Sequence, residues 1–204
     1  MMRVLLFSLL LTLAACASLP TTPALRSGAE IDAEARRLMA REDVRGLAVA
    51  VIDDGQVVHV AAYGHRNVER ALPLTTDTIM YGASLTKTAF AYMVLQLVDE
   101  GRLDLDASIA TYLPRPLPEY GDYADLAGEE RWRALTPRII LNHATGFANF
   151  RWLEGDQRLR FHFQPGERYG YSGEGFYILQ LLLEEGLHLD VGAEMQRRVF
   201  DRFG

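Results

Sequence analysis

The sequence has 204 residues, 49% of them apolar and 24% charged, with a formal net charge of -6. Those proportions are ordinary for soluble globular chains and exclude disorder, collagen and coiled coil. The acidic balance offers no basic surface for nucleic acid. From the N-terminus, Met-Met-Arg precedes a mostly apolar run from Val4 to Ala15, followed by Cys16. The run falls short of the roughly 20 residues a membrane-spanning helix needs. A positive start, a short apolar stretch and small residues at its end predict an export signal over residues 1–15.

Leu13-Ala14-Ala15-Cys16 resembles the lipobox of bacterial lipoproteins, in which cleavage precedes the cysteine and lipid is attached to it. An ordinary signal cut at Ala15-Cys16-Ala17 fits the same residues. A lone cysteine in an exported protein is otherwise a stray thiol, so lipid attachment at Cys16 is the preferred reading. It places the protein on the periplasmic side of the bacterial envelope, anchored to a membrane. Residues 16–27, with Pro20 and Pro23 and no periodicity, read as a tether.

The body begins with an amphipathic helix from Glu30 to Glu42, carrying Ile31, Ala35, Leu38 and Met39 at helical spacing. Leu47–Ile52 and Val57–Ala62 predict a hairpin across Asp53-Asp54-Gly55-Gln56. Thr75–Tyr81 reads as an extended stretch or loop, and a long helix as running from Ser84 to Glu100 with Gly101 as its stop. Residues 112–138, interrupted by Pro114, Pro116, Pro118 and Pro137, read as a surface loop. Further helices are expected over Thr136–His143, with Thr136 as cap and Pro137 in first position, from Gly173 or Glu174 to Glu185, and over Val191–Phe203. Two strands are too few for a stable sheet, and the chain stops at a helix end, so it reads as truncated.

Chemistry is signalled by a rare residue. Of 21 basic residues, Lys87 is the only lysine. Lysine, unlike arginine, can give up its proton when burial and nearby positive potential lower its pKa. Ser84-Leu85-Thr86-Lys87 places a hydroxyl and that amine one helical turn apart on the same face. A helix N-terminus at Ser84 would favour negative charge on its oxygen and disfavour the protonated amine, which suits an amine-activated serine nucleophile. A Gly-x-Ser-x-Gly elbow is absent, since Gly82–Thr86 and Gly170–Glu174 both fail at the last position. His59, His65, His143, His162 and His188 lack the paired spacing of a zinc site, so no metal or cofactor is expected. Asp104-Leu105-Asp106 is too short for a calcium loop and reads as a turn.

At these residues the sequence resembles serine hydrolases related to class C β-lactamases and low-molecular-weight penicillin-binding proteins. The likeness runs in order through Gly46–Ile52, Asp77–Lys87, Leu95–Asp106, Tyr112–Pro114, Leu141–Gly146 and Pro165–Gly173. It implies an α/β (α+β) fold of β-lactamase/transpeptidase type over residues 28–204. In that fold an antiparallel sheet flanked by helices adjoins a mainly helical domain, with the active site between them and the C-terminal strands beyond Gly204. It also implies that Ser84 attacks a carbonyl and that its amide supplies half the oxyanion hole. The family's Tyr-x-Asn motif aligns with Tyr171-Ser172-Gly173, so Tyr171 would share proton transfer with Lys87; which of the two is the base stays open.

Gly173 stands where the family has an asparagine that binds the substrate's amide, which shifts the reading from penicillin-like acylamides towards an esterase or peptidase. The third motif, Lys or His before Ser/Thr-Gly, is absent. His143-Ala144-Thr145-Gly146 imitates it but matches a structural segment, and His143 reads as a buried hydrogen-bonding residue. Trp132 and Trp152 would flank the site, with core packing an equal reading. The expected function is an envelope serine hydrolase that forms a Ser84 acyl-enzyme on an ester, amide or lactam carbonyl of a small molecule or peptide. The alternatives are a non-catalytic penicillin- or peptide-binding relative and an inactive fragment.

Overall fold

A computed structural model describes residues 27–203. The export signal, Cys16 and the tether as far as Arg26 lie outside the described residues. The chain divides between Met80 and Tyr81 into two compact units.

The first unit opens with α1 (Gly28–Arg41), started by a reciprocal cap. Glu30 N–H donates to Ser27 Oγ at 3.3 Å, and Ser27 N–H donates back to Glu30 Oε2 at 2.8 Å. The hairpin forms as expected but with longer strands, β1 (Gly46–Asp53) and β2 (Gln56–Asn67). Asp54 and Gly55 both have positive φ, 44° and 72°, the twist a two-residue hairpin turn demands. A third strand that the sequence reading missed, β3 (Leu72–Pro73), pairs antiparallel with β2 to give the order β1-β2-β3. Two residues carry no readable alternation, and Pro73 is tolerated only because β3 lies at an edge. One sheet face takes α1, where Tyr63 Oη donates to Asp32 Oδ1 at 2.6 Å and His59 Nε2 lies 3.1 Å from the same oxygen. On the opposite face Ile52, Val57 and Val60 are exposed.

In the second unit a tight turn at Ala83–Leu85 leads into α2 (Thr86–Asp99). Phe90, Met93, Val94 and Leu97 recur every third or fourth residue and are all buried, so one stripe of α2 faces the core. Gly101, at φ 68°, ends it. Its N–H donates to Val98 O, and Arg102 N–H donates to Leu97 O, both at 2.9 Å, closing the last carbonyls.

Residues 112–138 are not a surface loop. They form 3-10 turns at Leu117–Glu119, Gly121–Leu126 and Glu130–Ala134, and Leu117, Tyr120, Tyr123, Leu126, Trp132 and Leu135 belong to the core. The prolines rule out a continuous α-helix but not burial. Leu117, Tyr120, Tyr123 and Leu126 recur every third residue, but Tyr120 is extended between the two turns, so only Tyr123 and Leu126 share the face of one 3-10 helix.

Three short helices complete the unit. In α3 (Pro137–Leu141), Thr136 Oγ1 accepts from Ile139 N–H at 3.2 Å and Pro137 occupies the first position, as expected. α4 (Gly173–Leu181) is followed by a wider π-type turn, Leu182–Gly186. α5 (Val191–Arg198) stops five residues before Phe203, and a separate turn covers Phe200–Arg202. Arg198 is buried at 5% exposure and pairs with Glu194 and Glu100, which ties α5 to the end of α2. Its hydrogen bonds hold both carboxyls below their ordinary pKa.

Trp132→Ala is expected to lower the unfolding free energy by about 3–5 kcal/mol, the cost of emptying a core site. Urea denaturation checks this, since a tryptophan on a surface loop would cost less than about 0.5 kcal/mol.

Candidate active site

Ser84 and Lys87 meet as their spacing predicts. Lys87 Nζ donates to Ser84 Oγ at 3.1 Å. The helix begins at Thr86 rather than at Ser84, so Ser84 lies in the turn just ahead of α2 and Lys87 in its first turn. Ala83, immediately before the serine, adopts φ 43°, a left-handed conformation that costs a residue with a Cβ about 1–3 kcal/mol. The hydroxyl is thus presented by a strained turn, and the amine by a helix whose other side is anchored in the core.

Tyr171 joins them from the segment entering α4. Hydrogen bonding with Ser84 is the largest influence lowering the phenol's pKa; burial opposes it, and a hydrogen bond and positive charge from Lys87 reinforce it. The ammonium also sits 5.4 Å from the centre of the Tyr171 ring and 5.7 Å from that of Phe176. Lysine and serine are thus hydrogen-bonded with the Tyr171 phenol beside both, and a proton leaving Ser84 can pass to whichever of the two is deprotonated, the free amine or the phenolate.

Tyr171 is held by a residue that sequence reasoning left outside the site. His143 O accepts from Gly170 N–H at 2.7 Å, and His143 Nδ1 accepts from Ser172 N–H at 3.1 Å. Both neighbours of Tyr171 are thereby bonded to one histidine. The imidazole also lies against the Tyr171 ring, with centroids 4.3 Å apart and planes tilted by 31°. An N–H pointing into Nδ1 requires a neutral ring with its proton on Nε2. Burial, aided by the charge of Lys87, keeps the imidazole's pKa below its ordinary value. His143 closes α3 at φ 54°, in the left-handed position that helices usually end with glycine. Its N–H donates to Ile140 O, and Ala144 N–H donates to Ile139 O. Glycine would satisfy that backbone with less strain but offer Tyr171 no ring.

A cleft of about 440 Å³ adjoins Ser84 and Lys87, lined by Phe90, Phe150, Gly173, Phe176 and Tyr177. Gly173 opens α4 with its N–H donating to Asn149 O at 2.8 Å and to Asn149 Oδ1 at 3.1 Å. Beside it Glu174 is buried, accepting Arg151 N–H at 2.7 Å and pairing with the Arg151 guanidinium. The two tryptophans part company: Trp132 is a core residue, whereas Trp152 is exposed and stacks on Phe150. Cys16 lies outside the described residues.

Several known proteins resemble this chain. A D-aminopeptidase of Gluconobacter oxydans (strain 621H) is 27% identical over 183 residues, covering 86% of this chain and 34% of that protein. Penicillin-binding protein 4 of Amycolatopsis lactamdurans is 34% identical over 111 residues, covering 54% of this chain and 27% of that protein. Among solved structures, D-alanine carboxypeptidase AmpC from Burkholderia cenocepacia superposes with a TM-score of 0.66 at 24% identity, over 85% of this chain and 47% of that one. The octameric penicillin-binding protein homologue from Pyrococcus abyssi gives 0.67 at 23% identity, over 86% and 43%. The chain thus spans about a third of the D-aminopeptidase's length. The β-lactamase family profile matches residues 31–204, all but three residues of the expected body, and to that family the chain belongs.

Proposed function

We propose that the protein is a serine hydrolase that works through an acyl-enzyme on an ester or amide carbonyl. The observation that carries this reading is the 3.1 Å hydrogen bond from Lys87 Nζ to Ser84 Oγ, beside a Tyr171 phenol whose pKa Ser84 and Lys87 lower. Ser84 Oγ attacks the carbonyl carbon, and its proton passes to the Lys87–Tyr171 pair as the C–O bond forms. The tetrahedral intermediate collapses, the bond to the leaving alcohol or amine breaks, and the same pair returns the proton to that group. Water then repeats the sequence on the acyl-serine and frees the acid. The relatives named for D-amino peptide chemistry make a D-configured peptide one substrate class to try. The resemblance of Leu13–Cys16 to a lipobox supports lipid attachment at Cys16 and work at the envelope membrane.

In the protein expressed from its complete reading frame, Ser84→Ala is expected to cut kcat by about 10⁴-fold or more. Lys87→Arg should come close to that loss, because arginine keeps the charge but does not release its proton. Tyr171→Phe should lose about 10²–10⁴-fold. Activity that survived Ser84→Ala would overturn the assignment.

A second prediction concerns pH. Because the folded pKa of His143 is depressed, its contribution to stability is complete above the unfolded value of about 6.5. That contribution is lost as pH falls through the folded value. His143→Asn accepts the left-handed backbone but does not titrate. Urea unfolding from about pH 5 to pH 8 should therefore show a slope in the wild type below about pH 6.5 that the variant lacks.

A further inference from the structure

Gly173 raises a question of space. Its φ is not positive, so the backbone there has no need of glycine. What requires it is the Phe150 ring: a Cβ at position 173 would run into that ring and lie 3.0 Å from Asn149 O. Phe150 thus occupies the room into which a side chain at 173 would project, on the wall of the cleft that holds Ser84.

The ring is fixed from several directions. Trp152 stacks on it, with centroids 4.1 Å apart and planes 10° from parallel. Before it, Asn149 O accepts from both Gly173 N–H, at 2.8 Å, and Glu174 N–H, at 3.1 Å. After it, Arg151 gives its N–H to Glu174 and pairs its guanidinium with the same carboxylate, Nη2 to Oε2 at 2.7 Å. Arg151 also reaches Asp122 O. The first turn of α4 therefore clamps the residue on each side of Phe150, and rings from Phe90, Phe176 and Tyr177 line the same cleft, with Thr86 and Gln180 as further polar residues.

We propose that Phe150 sets substrate choice. Lodged against Gly173, it replaces a polar contact at that position with an aromatic wall, and so fits the cleft beside Ser84 to an apolar, preferably aryl-bearing, acyl group. The inference rests on the hydrolase reading and names the acyl class for it. A wall of rings gains from burying the apolar surface of such a group.

The test uses p-nitrophenyl phenylacetate and p-nitrophenyl acetate with the protein from its complete reading frame. Each kcat/KM is divided by the ester's rate with hydroxide. Acyl transfer to Ser84 is followed by intact mass, with p-nitrophenolate as the leaving group. The wild type should favour the phenylacetyl ester by about tenfold or more. Phe150→Ala should bring that ratio to within about threefold of unity. Gly173→Ala, which displaces the ring from the other side, should do the same, and the double variant should lose nothing further because both act on one ring. Gly173→Ala also keeps the test decisive if Phe150→Ala fails to fold. If Ser84 acquires both acyl groups and the ratio survives in these variants, Phe150 does not select the acyl group, while the hydrolase reading stands. If neither ester is turned over nor leaves an adduct, or if turnover persists in Ser84→Ala, the hydrolase reading fails and this inference falls with it.

Discussion

The hydrogen bond from Ser172 N–H into the imidazole of His143 joins the end of α3 to the start of α4, and the geometry of the site follows from that junction. Tyr171 is flanked by two amides, those of Gly170 and Ser172, and both are bonded to His143, one through its carbonyl and one through its ring. A phenol between two tethered peptide units, with a ring packed against it, has little freedom to drift from Ser84. Ser172 adds to the restraint: its hydroxyl accepts from Gly175 N–H and donates to Ala148 O, so the same residue caps α4 and pins the loop before Phe150. A bidirectional hydroxyl of this kind loses little by burial, because its donor and its acceptor are both used.

Against this fixed side stands α2, which brings the serine and lysine as one piece. Its buried stripe and its glycine stop hold the helix at one end, and the tight turn around Ala83 aims the hydroxyl at the other. Two residues with side chains, Ala83 and His143, are held in left-handed conformations next to the reacting group. Strain of this kind persists only where the surroundings over-determine it. Here a core of fully buried Met93, Leu97, Ile140, Ile178, Leu179 and Leu182 fastens the helices that carry both turns. The electrostatics run the same way, since one ammonium serves both partners: Lys87 donates to Ser84 and favours the ionised form of Tyr171.

Much of this was legible before any fold was known, wherever the signal was local. Ser84 and Lys87 at three-residue spacing, Thr136 before Pro137, Asp54-Gly55 between two β-rich runs and Gly101 after an apolar stripe each state their structure within a few residues. In segment 112–138 the prolines and the surrounding Tyr, Asp and Arg point to a surface loop, whereas its core residues sit in turns too short to show a helical period. His143 hydrogen-bonds as expected but is half-buried rather than buried, and its partner, the Ser172 amide 29 positions away, leaves no trace in local pattern. Nor does Phe150, an aromatic residue among loops, announce that it fills the space Gly173 leaves open.

The sequence by itself determined the family, the order of the motifs and the pairing of one lysine with one serine, because helical geometry converts a three-residue interval into a contact whatever the rest of the chain does. Only the tertiary structure decided which histidine holds the tyrosine, which ring fills the space beside Gly173 and which residues of the proline-broken segment lie in the core. These depend on the packing of volumes brought together from distant parts of the chain, and close packing, unlike helical pitch, is a property of the whole fold rather than of any short stretch.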